Sequence, residues 1–234
     1  SVVNPREDFE INAAGTLNVL EALRLECPET FFINASTNKV YGKMEDLGVV
    51  ERNGRYEYAD LMSGVSEIRS LDFHSPYGCS KGVADQYTID YARCFGLKTV
   101  VTRFGGIYGI HQYSYQDHGW VSYMTDMVLN NKEFNRFGHG KQVRDILYVS
   151  DIIDALRLCV EKIDSISGEA INIAGGPSNS LSVLELLKKL ELLTGNKEKS
   201  IINPMRQADK LVAYLDVRKA KKMLDWEPKV SPEE

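Results

Sequence analysis

Tyr77 and Lys81 stand four residues apart in Ser75-Pro76-Tyr77-Gly78-Cys79-Ser80-Lys81. The proline and the small residues open a helix here, and on a helix positions i and i+4 share one face, so the phenol and the ammonium point the same way. Such a pair is an acid–base device. A free tyrosine ionises near ~10, and a neighbouring cation favours the phenolate, which can take a proton from an alcohol or return one. Tyr and Lys at this spacing also fit an ordinary amphipathic face, so the pair takes its meaning from its surroundings.

The elements that must position it alternate between helix and buried strand. Pro5-Arg6-Glu7-Asp8 runs into a helix continued by Phe9, Ile11, Leu17, Val19, Leu20 and Leu23, which Cys27-Pro28 ends. Residues 30–35 (TFFINA) are almost wholly apolar, as in a strand covered on both faces of a parallel sheet. After a polar segment over 43–73, long enough to carry function or be mobile, a helix from Pro76 or Tyr77 to about Phe95 has Gly96 as its C-cap. A strand over 97–104 follows and ends at Gly105-Gly106. The alternation predicts an α/β fold.

Beyond Tyr108, a polar and aromatic loop (His111, Gln112, Tyr113, Tyr115, Asp117, His118, Trp120) precedes a helix over 121–131. A strand over 143–149 then leads into a helix over 151–162 capped by Ser150 or Asp151. Ala170–Ala174 is a further strand, Ser182 caps a helix over 183–193, and Asp216–Leu224 is helical.

The totals narrow the function classes. With 234 residues, 43% hydrophobic and 26% charged, the chain has the composition of a soluble globular protein, and its length allows one large domain or two lobes. Its net charge of −5 gives no bulk attraction to nucleic acid or an anionic membrane, so phosphate must be met by local cations. No run approaches the ~18 apolar residues of a membrane span, and no basic-then-apolar signal opens the chain, which reads as cytoplasmic. Cys27, Cys79, Cys94 and Cys159 form no C-x-x-C pair, which predicts reduced, mostly buried thiols. His74, His111, His118 and His139 are too scattered for a metal site.

Ser36-Thr37 ends the first buried strand, Tyr77 and Lys81 open the next helix, and Arg103-Phe104-Gly105-Gly106 ends the next strand. Ligands of open α/β sheets bind at the carboxyl ends of strands, so these three would meet in one crevice. Together with Asn12-Ala13-Ala14-Gly15-Thr16, Val40-Tyr41-Gly42, Tyr108-Gly109 and Gly140-Lys141-Gln142-Val143-Arg144-Asp145, they make the chain resemble the extended short-chain dehydrogenase/reductase superfamily, specifically its nucleotide-sugar epimerases and dehydratases.

The resemblance implies a Rossmann-like parallel sheet, N-terminally truncated, with a smaller C-terminal substrate-binding lobe. Residues 1–109 would be the NAD-binding domain without its glycine-rich first part. Residues 110–234 would be mainly the substrate lobe, with 143–163 returning to the Rossmann domain. It also implies NAD as cofactor and a nucleotide sugar as substrate. Tyr77 would be the acid–base, Thr37 would bond the reacting sugar oxygen, and Lys81 would hold the nicotinamide ribose and depress the tyrosine. Asn12 and Phe104 would lie beside the cofactor with Tyr77 and Lys81. Arg144 and Arg206 would grip the substrate diphosphate, joined on the substrate side by Thr37, Asn38 and Lys39. The helices over 9–26 and 77–95 would pair in a homodimer or homotetramer.

Asn38-Lys39 stands where related 4,6-dehydratases carry an Asp-Glu pair, which disfavours dehydration. Ser36-Thr37-Asn38-Lys39-Val40-Tyr41-Gly42, residues 71–81 and Asp117-His118-Gly119-Trp120 resemble the CDP-paratose 2-epimerase (CDP-tyvelose epimerase) group, in which inversion proceeds by transient oxidation to a keto sugar. Gly106 replaces the superfamily's usual Asn. A UDP-sugar 4-epimerase, another sugar-nucleotide reductase and a non-catalytic NAD- or nucleotide-sensing scaffold are the alternatives. The superfamily's glycine-rich turn has no counterpart, since neither Gly105-Gly106 nor Gly138-His139-Gly140 opens a helix after a first strand. The sequence therefore reads as a piece of such an enzyme. Tyr113, Tyr115, Trp120 and Tyr123 fit either stacking on a base or ordinary packing.

Overall fold

A computed structural model describes residues 2–113, 115–116, 118–206 and 209–233. The chain opens with α1 (Pro5–Asp8), passes through a π-helical stretch (Phe9–Ala14) and continues as α2 (Gly15–Glu26). Three parallel strands then form the sheet that positions the site: β1 (Phe31–Thr37), β4 (Lys98–Phe104) and β8 (Glu169–Ile173), in the order β1-β4-β8. Their carboxyl ends are level, with Thr37 opposite Phe104 and Phe104 opposite Ile173.

The central strand β4 is buried almost throughout, as its apolar run predicts. The first strand is not covered on both faces: among the described residues β1 pairs only with β4, and Phe31 and Ala35 are exposed. Against this sheet lies α3 (Ser75–Phe95), with Pro76 in its first turn and Gly96 in the left-handed region at its C-cap.

The segment over 43–73 has regular structure of its own. It contains a hairpin, β2 (Val49–Arg52) and β3 (Arg55–Tyr58), turned at Asn53-Gly54, both with positive φ as a type I′ turn requires. Tyr58 and Val65 from this segment are buried with Val40, Tyr41, Val143, Tyr214 and Leu215 in a common core, so apolar burial pins it.

A second layer holds β5 (Gly106–Tyr108), β7 (Val143–Tyr148) and β11 (Val212–Ala213), all parallel, with β9 (Ser180–Ser182) antiparallel to β7. Around it stand α4 (Trp120–Leu129), the parallel pair β6 (Phe134–Phe137) and β10 (Ser200–Asn203), and α7 (Val183–Thr194). Ser182 caps α7 in a full capping box with Glu185.

The helix α5 (Val149–Glu161) follows β7, but neither Ser150 nor Asp151 caps it; Tyr148 holds the cap position. The Asp151 carboxylate turns inward to accept the backbone N–H groups of Lys229 and Val230, both at 3.0 Å. The last helix, α8 (Arg218–Leu224), starts two residues later than Asp216, whose side chain accepts the Arg218 N–H at 2.9 Å.

Only Cys159 is buried; Cys27, Cys79 and Cys94 are exposed on helix surfaces and at a helix end, where no core reaches them. Among the described residues no helix is long and apolar enough to cross a membrane.

Candidate active site

Thr37 is both the last residue of β1 and the N-cap of a short 3₁₀ turn (Asn38–Tyr41), its hydroxyl accepting the Lys39 N–H at 3.3 Å. That double duty holds the side chain at the sheet's carboxyl edge, where its hydroxyl lies near enough to the Tyr77 phenol to favour the phenolate. Asn12, in the π-helical stretch, donates to Ser80 Oγ at 3.0 Å, and Ser80 donates to the Tyr77 carbonyl at 3.0 Å. The first helix is thereby tied to the turn of α3 that carries Tyr77. An extra residue in a helical turn re-aims side chains, and such stretches recur at functional sites.

The electrostatics of the pair differ from expectation. Burial pushes the Tyr77 phenol above its ordinary value, opposed by the neighbouring Thr37 hydroxyl and aided by the Asp8 carboxylate. Lys81 is not what lowers it; burial pulls the Lys81 ammonium down, and the charge that acts against this is Asp85, one helical turn on. Desolvation penalises both charged forms, and it is the leading cause of each shift. The chain by itself therefore holds a protonated phenol ready to donate.

Beneath the site lies a buried network that motif reading passed over. Arg103 on β4 donates to both oxygens of Asp85 on α3, at 2.9 and 2.8 Å, and to the Tyr41 hydroxyl at 3.1 Å. Ser36 donates to Asp85 at 2.7 Å, and Tyr41 donates to Asn172 on β8 at 2.7 Å. This network ties together the three strands, α3 and the 3₁₀ turn that carries Lys39. The signal was an arginine inside an apolar strand, since charges are almost never fully buried unless paired.

A cleft of about 360 Å³ is lined by Lys39, Arg144, Arg206, Trp120, Tyr123 and Gln142 among others; Tyr77 and Lys81 do not line it, and Lys39, whose backbone lies against Gly78, connects it to them. Of the predicted substrate residues, Lys39, Arg144 and Arg206 line it; Thr37 and Asn38 do not, Asn38 being placed at the start of the 3₁₀ turn. Arg144 does not pair with its neighbour Asp145. It contacts the Asp209 carboxylate and the Lys210 carbonyl, while Asp145 is buried behind it, accepting the Leu215 N–H at 2.9 Å. Arg206 lies over the Phe137 ring, 4.0 Å from its centre.

The aromatic group divides, since Trp120 and Tyr123 line the cleft but Tyr113 and Tyr115 point to solvent. Asp117 lies outside the described residues. Phe104 has its side chain in the core with Leu147, Ile152 and Trp226, leaving its backbone at the strand end.

Gly106 has a steric reason. A Cβ there would lie 2.7 Å from the Asp145 carbonyl oxygen and 3.7 Å from Trp120 Nε1, because β5 and β7 pair directly beneath the indole. An Asn in this place would collide with backbone.

The profile of the GDP-mannose 4,6 dehydratase family matches residues 1–234. The chain belongs to this family. It is thereby one of the nucleotide-sugar epimerases and dehydratases of the extended short-chain dehydrogenase/reductase superfamily. Within the family it is 45% identical to the CDP-paratose 2-epimerase of Salmonella typhi, over 99% of this chain and 70% of that protein. Two solved family structures superpose closely. The UDP-glucose 4-epimerase of Thermotoga maritima with UDP-glucose is 33% identical with a TM-score of 0.84, covering 100% of this chain and 69% of that one. The UDP-glucose 4-epimerase of Thermus thermophilus with NAD is 28% identical with a TM-score of 0.81, covering 100% and 70%.

Proposed function

We infer that the protein is an NAD-dependent nucleotide-sugar epimerase, and we propose CDP-paratose, inverted at C2, as its substrate. The observation that carries the chemistry is the juxtaposition of Thr37 and Tyr77 at the carboxyl edge of the sheet, with Lys39 leading from Thr37 into a cleft lined by cations. The 45% identity to a CDP-paratose 2-epimerase supports the choice of sugar.

The residues present fit the nicotinamide end of NAD. The ammonium of Lys81 is half-buried one turn from Tyr77, and Asn12 lies beside them through Ser80. When bound, NAD supplies the acceptor and donor of the hydride in a transient oxidation. Tyr77 must first lose its own proton; as the phenolate it takes the proton of the sugar C2 hydroxyl and later returns it to the inverted alcohol, while Thr37 orients that oxygen. Arg144 and Arg206 hold the diphosphate, with guanidinium forks that match phosphate oxygens. Lys39 stands between the two regions, following Thr37 in sequence and lining the cleft with Arg144. Residues 1–109, with 143–163, form the cofactor side in this reading, and the remainder mainly the substrate side.

The test is to denature the purified full-length protein, assay released NAD and follow CDP-paratose by NMR. Bound NAD with inversion at C2 is the expected result. Bound NAD without conversion would reject CDP-paratose and move the choice to another nucleotide sugar, including a UDP-sugar 4-epimerase; no NAD would favour the non-catalytic scaffold.

The same reading includes a homodimer or homotetramer. Phe9, Ile11 and Val19 on the first helix and Tyr87 and Phe95 on α3 are all exposed. Light scattering is expected to give at least twice the chain mass; a monomer at micromolar concentration would reject this interface.

A further inference from the structure

Lys210, just before β11, is 7% exposed, and its ammonium has no hydrogen-bond partner. An unpartnered buried ammonium is costly, so its surroundings must explain it. They are cationic. The charged groups that face it are Lys39 from the 3₁₀ turn after β1, Arg144 from β7, Arg69 from the segment before α3, and the carboxylate of its neighbour Asp209. The acids nearby are already engaged: Asp209 takes Arg144 and the Lys210 backbone N–H, and Asp46 takes Arg69. Four cations from four chain segments thus converge with one carboxylate inside the group. Two of them, Lys39 and Arg144, line the cleft.

A cluster with more positive charge than its own carboxylates balance is completed by an anion from outside. We propose that Lys210, buried behind the cleft wall with its carbonyl held by Arg144, supports phosphate binding through the cationic cluster it shares with Arg144 and Lys39, and takes up a proton as the phosphates enter the cleft. This rests on the reading of the cleft as the diphosphate site. Burial first, and then Lys39, Arg144 and Arg69, push the Lys210 ammonium down to about 7 in the free protein. A diphosphate at Arg144 and Lys39 offsets those cations and raises it again. The sign follows: below pH ~7 Lys210 is already charged and binding needs no proton, whereas above it the free protein must acquire one. Affinity for the anion therefore falls as pH rises through this window, by up to about tenfold per unit, until the bound-state value is passed.

The experiment is calorimetric titration of the full-length protein with CDP at pH 8 in HEPES and in Tris, whose ionisation heats differ. This pH lies above the terminal phosphate's own ionisation near ~6. The native protein is expected to take up close to one proton per CDP bound. Lys210→Gln and Lys210→Met should abolish the uptake and flatten the affinity profile from pH 7 to 9, with melting curves confirming that at least one variant folds. CDP binding without proton uptake by the native protein, or undiminished uptake in a folded variant, overturns the role of Lys210 and leaves the cleft reading standing. Failure of the native protein to bind CDP at any pH overturns the cleft reading and this proposal with it.

Discussion

Replacing Tyr77 by Phe is expected to lower kcat by about 10²- to 10⁴-fold, the range of a positioned acid–base group. Phe keeps the ring and removes only the hydroxyl, so the cost in stability is expected to be no more than about 1 kcal/mol. Released NAD from the variant should match the native protein. Because burial holds the native phenol above its ordinary value, kcat/KM of the native protein should climb with pH until the phenol ionises. The variant should lack that limb. A folded, NAD-loaded variant that retains native turnover would remove Tyr77 from the role.

The largest loss of stability is expected at Asp85. Asp85→Ala leaves the Arg103 guanidinium, 3% exposed, without its bidentate partner and takes the acceptor from Ser36. Breaking a buried ion pair by removing one partner costs about 3–5 kcal/mol, because a charge is left uncompensated in low dielectric. In a chain of this size that corresponds to a fall in Tm of about 6–20 °C. The double replacement Asp85→Leu with Arg103→Met should recover much of the loss, since neither charge then remains. The network also reaches the catalytic pair, because Asp85 is the group that opposes the burial of the Lys81 charge. A loss below about 1 kcal/mol in urea unfolding of Asp85→Ala would contradict the account.

Much of the site was legible because its signals are local. Tyr77 and Lys81 are bound to one helix turn by their spacing, Pro76 and Gly96 mark that helix's ends, and Thr37 ends an apolar run. The hairpin at Asn53-Gly54 was equally legible in principle. An Asn-Gly pair between short apolar-polar runs is a strong hairpin signal, but the many charges around it obscured the alternation. The caps at Ser150 and Asp151 failed for a different reason. The residue types suit a cap, but Asp151 found backbone donors in the distant Lys229–Val230 segment.

Periodicity, capping chemistry and the order of the motifs were enough to determine the α/β alternation, the Tyr77–Lys81 face and the family. All of these act within a few residues or through strand order. Tertiary structure alone decided the charges. Arg103 meets Asp85 across 18 positions, Arg144 takes Asp209 across 65 in preference to the adjacent Asp145, and Lys39 and Lys210 share one cationic cluster with Arg144. The direction in which Tyr77 and Lys81 shift was decided there too. An ionisable group responds to how far water has been removed and which charges have been brought near, and neither quantity exists until the chain has folded.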